Sequence, residues 1–291
     1  MSRRISMLLP VYNEEMFLLH ALKAPMEFVD QVVVIDGSPF GPSTDRTKEI
    51  IDMYDKQYPG VITYLSGTFA LDNGGWDESA QRNLGISKID GDILMPHCGD
   101  MIYSIPDMRS MVGAINNFPD QKIFYCQFLE FWLDTHHICL YEGYSMEGWL
   151  LTPAISDVCF VDMSLLPQDS FNTFQKGPNM PLNSYDHSHF MYVPYAFRYH
   201  YGWLSGFDVQ VQKQFRRMKM GAWQGSDNDL SGEDDSVIAK WSIQHVLSYP
   251  NLRGAFPYEG YVPCTSPSYI DKRDETIKMY EAIHGEGFWL D

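Results

Sequence analysis

The chain has 291 residues, a formal net charge of −17 at pH 7, 45% hydrophobic residues and 20% charged residues. This composition excludes a disordered or fibrous protein, and the length suffices for one large α/β domain with a sizeable core. The acidic balance argues against a broad nucleic-acid-binding surface, because phosphate backbones are bound by clustered Lys and Arg side chains. No run of 18 apolar residues occurs, so we expect no transmembrane segment.

Strand and helix signals alternate along the first hundred residues. Apolar runs predict strands at 4–11, 31–36, 61–66 and 92–96. Helical patterns lie between them, over 14–24, from a cap at Ser43 or Thr44 onward, and over 78–88. This alternation predicts a parallel, right-handed, doubly wound sheet. After residue 105 the pattern loosens, with strand-like segments at 122–133, 156–163 and 190–203 and a helix at 208–222.

The N-terminal segment and the cysteines give information on the cellular location of the protein. The N-terminal segment MSRRISMLLPVYNEE has two arginines before an apolar run, but that run is too short for a signal peptide and no cleavage site follows it. The five cysteines include no C-x-x-C pair, so structural zinc is not expected. We expect the N-terminal segment to be a first buried strand, and the cysteine pattern favours a reduced, cytoplasmic setting.

Polar clusters follow the predicted strands of the first half. They are Tyr12-Asn13-Glu14, Asp36-Gly37-Ser38, Asp72-Asn73 and His97-Cys98-Gly99-Asp100. Ligands of open α/β sheets bind at the carboxyl ends of the strands. We therefore expect these clusters to form one site, with Asp36 and Asp100 ending neighbouring strands and flanking one pyrophosphate-bearing ligand.

Four stretches of the first half, three of which contain one of these clusters, together resemble glycosyltransferase family 2, which has the GT-A fold. They are PVYNEE (10–15), VVVIDGS…STDRT (32–47), QRNLGI (81–86) and GDILMPHCGD (91–100). A fainter match is HYGW (200–203), followed by Lys213. The resemblance implies an α/β fold with a Rossmann-like, mostly parallel central sheet flanked by helices. It further implies one continuous domain, with a nucleotide-sugar-binding half at 1–105 and a less regular acceptor-binding C-terminal half at 106–291.

The resemblance also implies a donor site for a nucleoside-diphosphate sugar. In it, Pro10, Tyr12 and Glu14 hold the base and ribose, and Asp36 contacts the base. A carboxylate can accept hydrogen bonds from a base N–H or a ribose hydroxyl. The rest of the implied donor-binding set faces the sugar nucleotide or its diphosphate: Gln81, Arg82 and Lys213. A guanidinium such as that of Arg82 pairs well with a diphosphate.

The chain departs from the family pattern at two places. The segment PFGP (39–42) lengthens the loop before Ser43, and the metal motif, usually an acid, a spacer and an acid, reads Cys98-Gly99-Asp100. Only the last acid remains. Mn²⁺ or Mg²⁺ binds oxygen ligands, and Mn²⁺ also accepts imidazole, so Asp100, His200 and the donor diphosphate are the expected ligands.

The implied reaction is sugar transfer with inversion, in which a carboxylate takes the proton from the attacking acceptor hydroxyl. The candidates for this base are Asp157, Asp186, Glu130 and Glu147, and we favour Asp186, in the polar segment NSYDHSH. The expected donor is a UDP- or GDP-sugar, with a dTDP-sugar also open. The expected acceptor is a glycan, a lipid-linked sugar or a small molecule.

Two other functions remain open from the sequence. A catalytically inactive relative that binds a nucleotide or a glycan is compatible with the reduced metal motif. A nucleotidyltransferase is less favoured, because it needs a glycine-rich, basic loop after the first strand, where this chain has the acidic segment VYNEE.

Overall fold

A computed structural model describes residues 3–72, 74–132, 134–139, 158–165, 187–202, 204, 207–219, 230, 233–253, 255–257, 260, 262–263 and 273–285. The chain forms two compact units. The first comprises Met1–Phe69, Asp77–Leu129 and Tyr144–His200. The second comprises Ala70–Trp76, Glu130–Gly143 and Tyr201–Asp291.

Parallel strands form the centre of the first unit. They are β1 (Ile5–Val11), β2 (Gln31–Ser38), β3 (Ile62–Thr68) and β4 (Ile93–Pro96), and they lie side by side in the order β3-β2-β1-β4. All three pairings are parallel. The predicted α/β alternation is therefore confirmed. β1 separates β2 from β4, so Asp36 and Asp100 follow strands on either side of β1 rather than neighbouring strands.

Antiparallel strands extend this sheet and make it mixed. β8 (Val158–Asp162) pairs with β4, and β6 (Ile123–Trp132) pairs with β8. The short β5 (Met101–Ile102) pairs with β9 (Phe190–His200), and β9 also pairs with β6. These pairings bring the end of β9 to the segment that follows β4.

Among the described residues of the first unit, the α-helices are α1 (Leu18–Lys23), α2 (Thr47–Gln57), α3 (Glu78–Ile86) and α4 (Ile105–Asn117). α1, α2 and α4 share one apolar core with the sheet, which includes Leu22, Ile51 and Met108. α3 packs on β1 and β2 at Leu8 and Ile35, against which Gly85 lies. α1 begins later than predicted, and residues 15–17 before it form a turn in which the backbone N–H groups of Phe17 and Leu18 donate to the Glu14 carbonyl oxygen.

The second unit contains the last residues of β6, which pair with β7 (Asp134–Cys139), and β10 (Ala255–Pro257), which pairs with β7. Its helices are α5 (Phe207–Lys219), α6 (Asp235–Arg253) and α7 (Arg273–His284). They share an apolar core that includes Val211, Ile243 and Tyr280. Within the described residues, no helix is long and apolar enough to cross a membrane.

Candidate functional site

The loop after β1 is joined by hydrogen bonds to the segment that precedes and begins α2. The backbone N–H of Asn13 donates to the hydroxyl of Ser43 at 2.8 Å, and the N–H of Glu14 donates to the hydroxyl of Thr47 at 2.8 Å. Asn13 has a φ of 54°, a left-handed conformation that Asn adopts more readily than most residues. These bonds fix the backbone that carries Tyr12 and Glu14.

Asp36, at the carboxyl end of β2, is fully buried, and both of its carboxylate oxygens accept hydrogen bonds. Oδ1 accepts from the backbone N–H of Ser43 at 2.9 Å and from its hydroxyl at 2.6 Å. Oδ2 accepts from the hydroxyl of Tyr64, on β3, at 2.6 Å. Burial, reinforced by this bond, raises the pKa of Tyr64 well above its usual value. Asp36 thus ties β2 to β3 and to the loop before α2, and its contact with a base stays a prediction.

Gln81 connects α3 to the ends of the central strands. Its side chain is buried, and its amide nitrogen donates to the carbonyl oxygens of Ile35 at 2.8 Å and Gly37 at 3.1 Å, with the Val11 carbonyl 3.5 Å away. Gly85 permits this close packing, since a Cβ there would lie 2.3 Å from the Ile35 Cδ1 atom. The contact of Gln81 with the donor likewise stays a prediction.

The loop after β4 lies against the loop after β1. A Cβ at Gly99 would lie 2.8 Å from both the Cβ and the Cγ atoms of Glu14, so the approach depends on glycine. The structure therefore places Glu14 beside the segment Cys98-Gly99-Asp100, as expected for clusters that share one edge of a sheet.

His97, in this same loop, is a core residue. Its side chain is 2% exposed, and its Nε2 atom lies 3.1 Å from the carbonyl oxygen of Ala21. Because a carbonyl only accepts, Nε2 carries the proton of the neutral ring. Burial lowers the pKa of His97 to about 4, so the ring is neutral at pH 7.

Asp100 and His200 are brought together by the pairing of β5 with β9, in which Met101 lies opposite His200. The His200 Nε2 atom lies 3.4 Å from the Asp100 Oδ2 atom, and the two side chains are 17% and 11% exposed. One carboxylate and one imidazole suit Mn²⁺. The described residues contain no group of three or more His, Cys, Asp or Glu side chains arranged for a metal ion. A metal ion on this pair therefore needs further oxygen ligands from a bound molecule or water.

Charges of both signs surround Cys98. Burial raises the pKa of its thiol to about 11, and the nearby charges of Asp100 and Glu14 raise it further, whereas those of Arg82 and Arg198 oppose the rise. The structure thus collects two acids and two arginines around the loop after β4. Arg82 also lies 3.7 Å from the Glu78 carboxylate, one turn earlier on α3.

The remaining predicted residues fall into three groups. Pro10 and Tyr12 are half-buried at and just after the end of β1. Lys213 is half-buried on α5 and belongs to the second unit. Asp186 lies outside the described residues, as do Asp157 and Glu147, whereas Glu130 is buried on β6.

Four residues that shape this site are not expected in it from the sequence, namely Ser43, Tyr64, Phe128 and Arg198. Ser43 is expected only as a candidate cap of α2, which has its N-cap at Arg46 instead. Ser43 has a local signal, since a Ser that precedes an Asp before a helix is typical of a structured loop. The other three act through contacts between distant strands, for which a single sequence holds no signal.

A family model described as Glycosyl transferase family 2 matches residues 6–173, which is more than half of the chain. The chain belongs to glycosyl transferase family 2. The recognition made from the four motifs is therefore confirmed, and so is the α/β, GT-A class of fold expected with it. The family makes this protein a glycosyltransferase. A search of curated proteins finds no match to the sequence.

Solved structures with a similar fold include other glycosyltransferases. One is S. aureus TarS 1–349 in complex with UDP-GlcNAc, with 13% sequence identity, a TM-score of 0.45, and coverage of 85% of this family 2 chain and 72% of that chain. Another is glucosyl-3-phosphoglycerate synthase from Mycobacterium tuberculosis in complex with Mn²⁺, UDP and phosphoglyceric acid, with 18% identity, a TM-score of 0.39, and coverage of 68% and 70%. The chain covers 43% of the longer S. aureus TarS chain.

Proposed function

We propose that this family 2 chain transfers a hexosyl or similar sugar from a nucleoside-diphosphate sugar to an acceptor hydroxyl, with a divalent metal ion and with inversion at the anomeric carbon. The observation that carries the proposal is the Asp100–His200 pair, 3.4 Å apart, in which Asp100 belongs to the loop that also contacts Glu14 and His200 ends β9. Family membership supplies the class of reaction. The pair supplies a place for the diphosphate to meet a metal ion.

The metal ion in this proposal is Mn²⁺ or Mg²⁺, held by Asp100 and His200 together with oxygens of the donor diphosphate. The two side chains fit the first of these ions well, because they offer one oxygen and one imidazole nitrogen. When bound, such an ion stabilises the negative charge of the departing nucleoside diphosphate. The loss of an acid at Cys98 leaves Asp100 as the acidic ligand of the motif.

The chain's own residues orient the donor in this proposal. Arg82 lies by the loop after β4, where its guanidinium can pair with the diphosphate. Pro10, Tyr12 and Glu14 hold the base and ribose, on a backbone fixed by the bonds to Ser43 and Thr47.

Asp36 and Gln81 stay in the proposed donor site, with a role that their hydrogen bonds support. Both side chains are buried and bonded inward, so they hold the strand ends and loops against which the donor lies. The Oδ2 atom accepts one bond, from Tyr64, and keeps a free acceptor site, so a direct bond from the base to Asp36 requires access to this buried oxygen.

The remaining parts of the proposal rest on the sequence. Asp186 is proposed as the base that takes the acceptor proton, and Lys213 as a further contact to the diphosphate. The donor is a UDP- or GDP-sugar, and the acceptor is a glycan, a lipid-linked sugar or a small molecule. A cytoplasmic location is proposed on the cysteine pattern alone.

The test combines binding and turnover. UDP, GDP and dTDP are titrated calorimetrically with and without Mn²⁺, and release of nucleoside diphosphate is then measured with the matching sugar donors. We expect turnover of at least one donor that depends on Mn²⁺ or Mg²⁺ and falls by on the order of a hundredfold in Asp100→Asn. Glu49→Gln, which removes an exposed acid paired with Arg46, is the matched control and is expected to behave as wild type.

Three results separate this proposal from the alternative. Binding of a nucleoside diphosphate without turnover of any donor, together with no effect of Asp100→Asn, favours an inactive nucleotide-binding relative. Turnover that needs no metal ion contradicts the proposed role of Asp100 and His200. Retention of configuration at the anomeric carbon contradicts inversion.

A further inference from the structure

The ring of Phe128, on β6, lies against two side chains of β9. It stacks on the His200 imidazole, with 5.6 Å between ring centroids and 29° between the ring planes. The Arg198 guanidinium carbon lies 5.0 Å from the centroid of the same ring. Arg198 and His200 are two residues apart on one strand, a spacing that places side chains on the same face. One aromatic ring thus contacts both.

These contacts have a direct bearing on the orientation of the imidazole. The terminal torsion of a histidine side chain has broad, shallow preferences, so packing decides which way the ring nitrogens face. In this structure the His200 Nε2 atom faces Asp100 Oδ2 at 3.4 Å, while the Phe128 ring stacks on the face of the imidazole. Arg198 in turn holds Phe128 through its contact with the ring.

Phe128 differs from the core aromatic residues of the same strand. Phe124, four residues earlier on β6, is fully buried in the apolar core. Phe128 is half-buried, and its ring contacts the imidazole and the guanidinium. Its position therefore suits a role in supporting the Asp100–His200 pair more than a role in filling the core.

We propose that Phe128 is a positioning residue that holds the His200 imidazole in register with Asp100. The inference rests on the proposed function, because it takes this pair as the metal ligands. A ring already held in the binding orientation loses less freedom when a metal ion binds, so the metal ion binds more tightly. Removal of the Phe128 ring therefore weakens metal binding without removing a ligand.

The test measures Mn²⁺ affinity directly, from the electron paramagnetic resonance signal of free Mn²⁺ in the presence of saturating UDP. Phe128→Leu keeps an apolar side chain and removes the ring, so the imidazole has to be ordered when the metal ion binds, which lowers the affinity by about three- to tenfold. We expect Phe128→Leu to weaken Mn²⁺ binding by that factor and Phe128→Tyr, which keeps the ring, to restore it. Tyr125→Leu removes a half-buried ring of β6 that packs on Phe190 and Tyr192, and is expected to leave the affinity unchanged.

A double-mutant cycle separates positioning from a general loss of structure. In a His200→Ala background, Phe128→Leu is expected to have no further effect on Mn²⁺ affinity, because the group that it orients is absent. Equal weakening in both backgrounds overturns the inference, and so does an unchanged affinity in the single variant. If Phe128→Leu does not fold, as judged by its thermal unfolding, Phe128→Met provides the same comparison with a larger side chain.

Failure of the proposed function gives a different result. If the wild-type chain binds no Mn²⁺, or if Asp100→Asn and His200→Ala both bind Mn²⁺ as tightly as wild type, the metal site is overturned and the inference with it. If those two variants bind Mn²⁺ more weakly than wild type but Phe128→Leu does not, the metal site stands and only the inference is overturned.

Discussion

A substitution at Gln81 distinguishes a residue that supports the structure of the site from a residue that contacts the donor. We expect Gln81→Met to lower the stability of the chain, because Met has similar length and retains the packing but cannot donate a hydrogen bond. The two bonds lost are those to the carbonyls of Ile35 and Gly37, at 2.8 and 3.1 Å. Both lie at the end of β2, between the loops that carry the proposed donor contacts.

The magnitude follows from the burial of these groups. A hydrogen bond between neutral groups contributes about 1 kcal/mol net, and a buried acceptor left without its partner adds a desolvation cost of about 1–3 kcal/mol. The Gln81 side chain is 1% exposed, so water cannot replace the amide without rearrangement. We therefore expect a loss of about 2 kcal/mol in the free energy of unfolding.

Urea unfolding followed by tryptophan fluorescence measures this loss as a lower transition midpoint at unchanged slope. The matched control is Gln57→Met, at an exposed position on α2, which we expect to change the stability by no more than about 0.5 kcal/mol. UDP affinity is measured on the same preparations. An unchanged midpoint for Gln81→Met combined with a large loss of UDP affinity refutes the reasoning and makes Gln81 a direct donor contact.

Two further predictions concern the loop after β4. Burial lowers the pKa of His97 to about 4 in the folded chain, whereas the unfolded chain binds this proton near pH 6.5. The free energy of unfolding is therefore unaffected by His97 above pH 6.5 and falls by about 3 kcal/mol as the pH decreases toward 4. Urea unfolding of wild type and His97→Gln across this range should show a shallower loss in the variant, and parallel curves contradict the prediction. Gly99→Ala forces the Glu14 side chain to move and is expected to cost about 1–3 kcal/mol and to weaken UDP binding. Gly113→Ala on α4, where an added Cβ meets no atom within 4 Å, is its control and should be neutral or stabilising.

The sequence predicted the central sheet well, because strands buried on both faces leave a strong local signal. The consecutive apolar residues of β1, β2 and β4 identify them as strands of this kind. The polar clusters after these strands meet at one edge by topology alone, and the contact of Gly99 with Glu14 bears this out. The local sequence pattern was therefore sufficient to predict the strands of the simple α/β alternation.

Contacts between distant residues explain what the sequence could not predict. The loop between β1 and α1 is held by bonds from the backbone N–H groups of Glu14 and Glu15 to Thr47 and Asp45, some thirty residues away. Whether Asp36 faces a ligand or the protein interior depends on Tyr64, on another strand. A local pattern identifies a polar residue at a strand end but does not fix the direction in which its side chain bonds.

The central claim is that Asp100 and His200 together bind the metal ion that accompanies the donor diphosphate. Anomalous diffraction from crystals grown with UDP and Mn²⁺ tests it most directly, since manganese is located independently of the protein atoms. We expect one manganese peak within bonding distance of Asp100 Oδ2 and His200 Nε2, with the diphosphate oxygens completing its ligands. A UDP molecule bound away from both side chains, or a manganese peak that neither contacts, contradicts the claim.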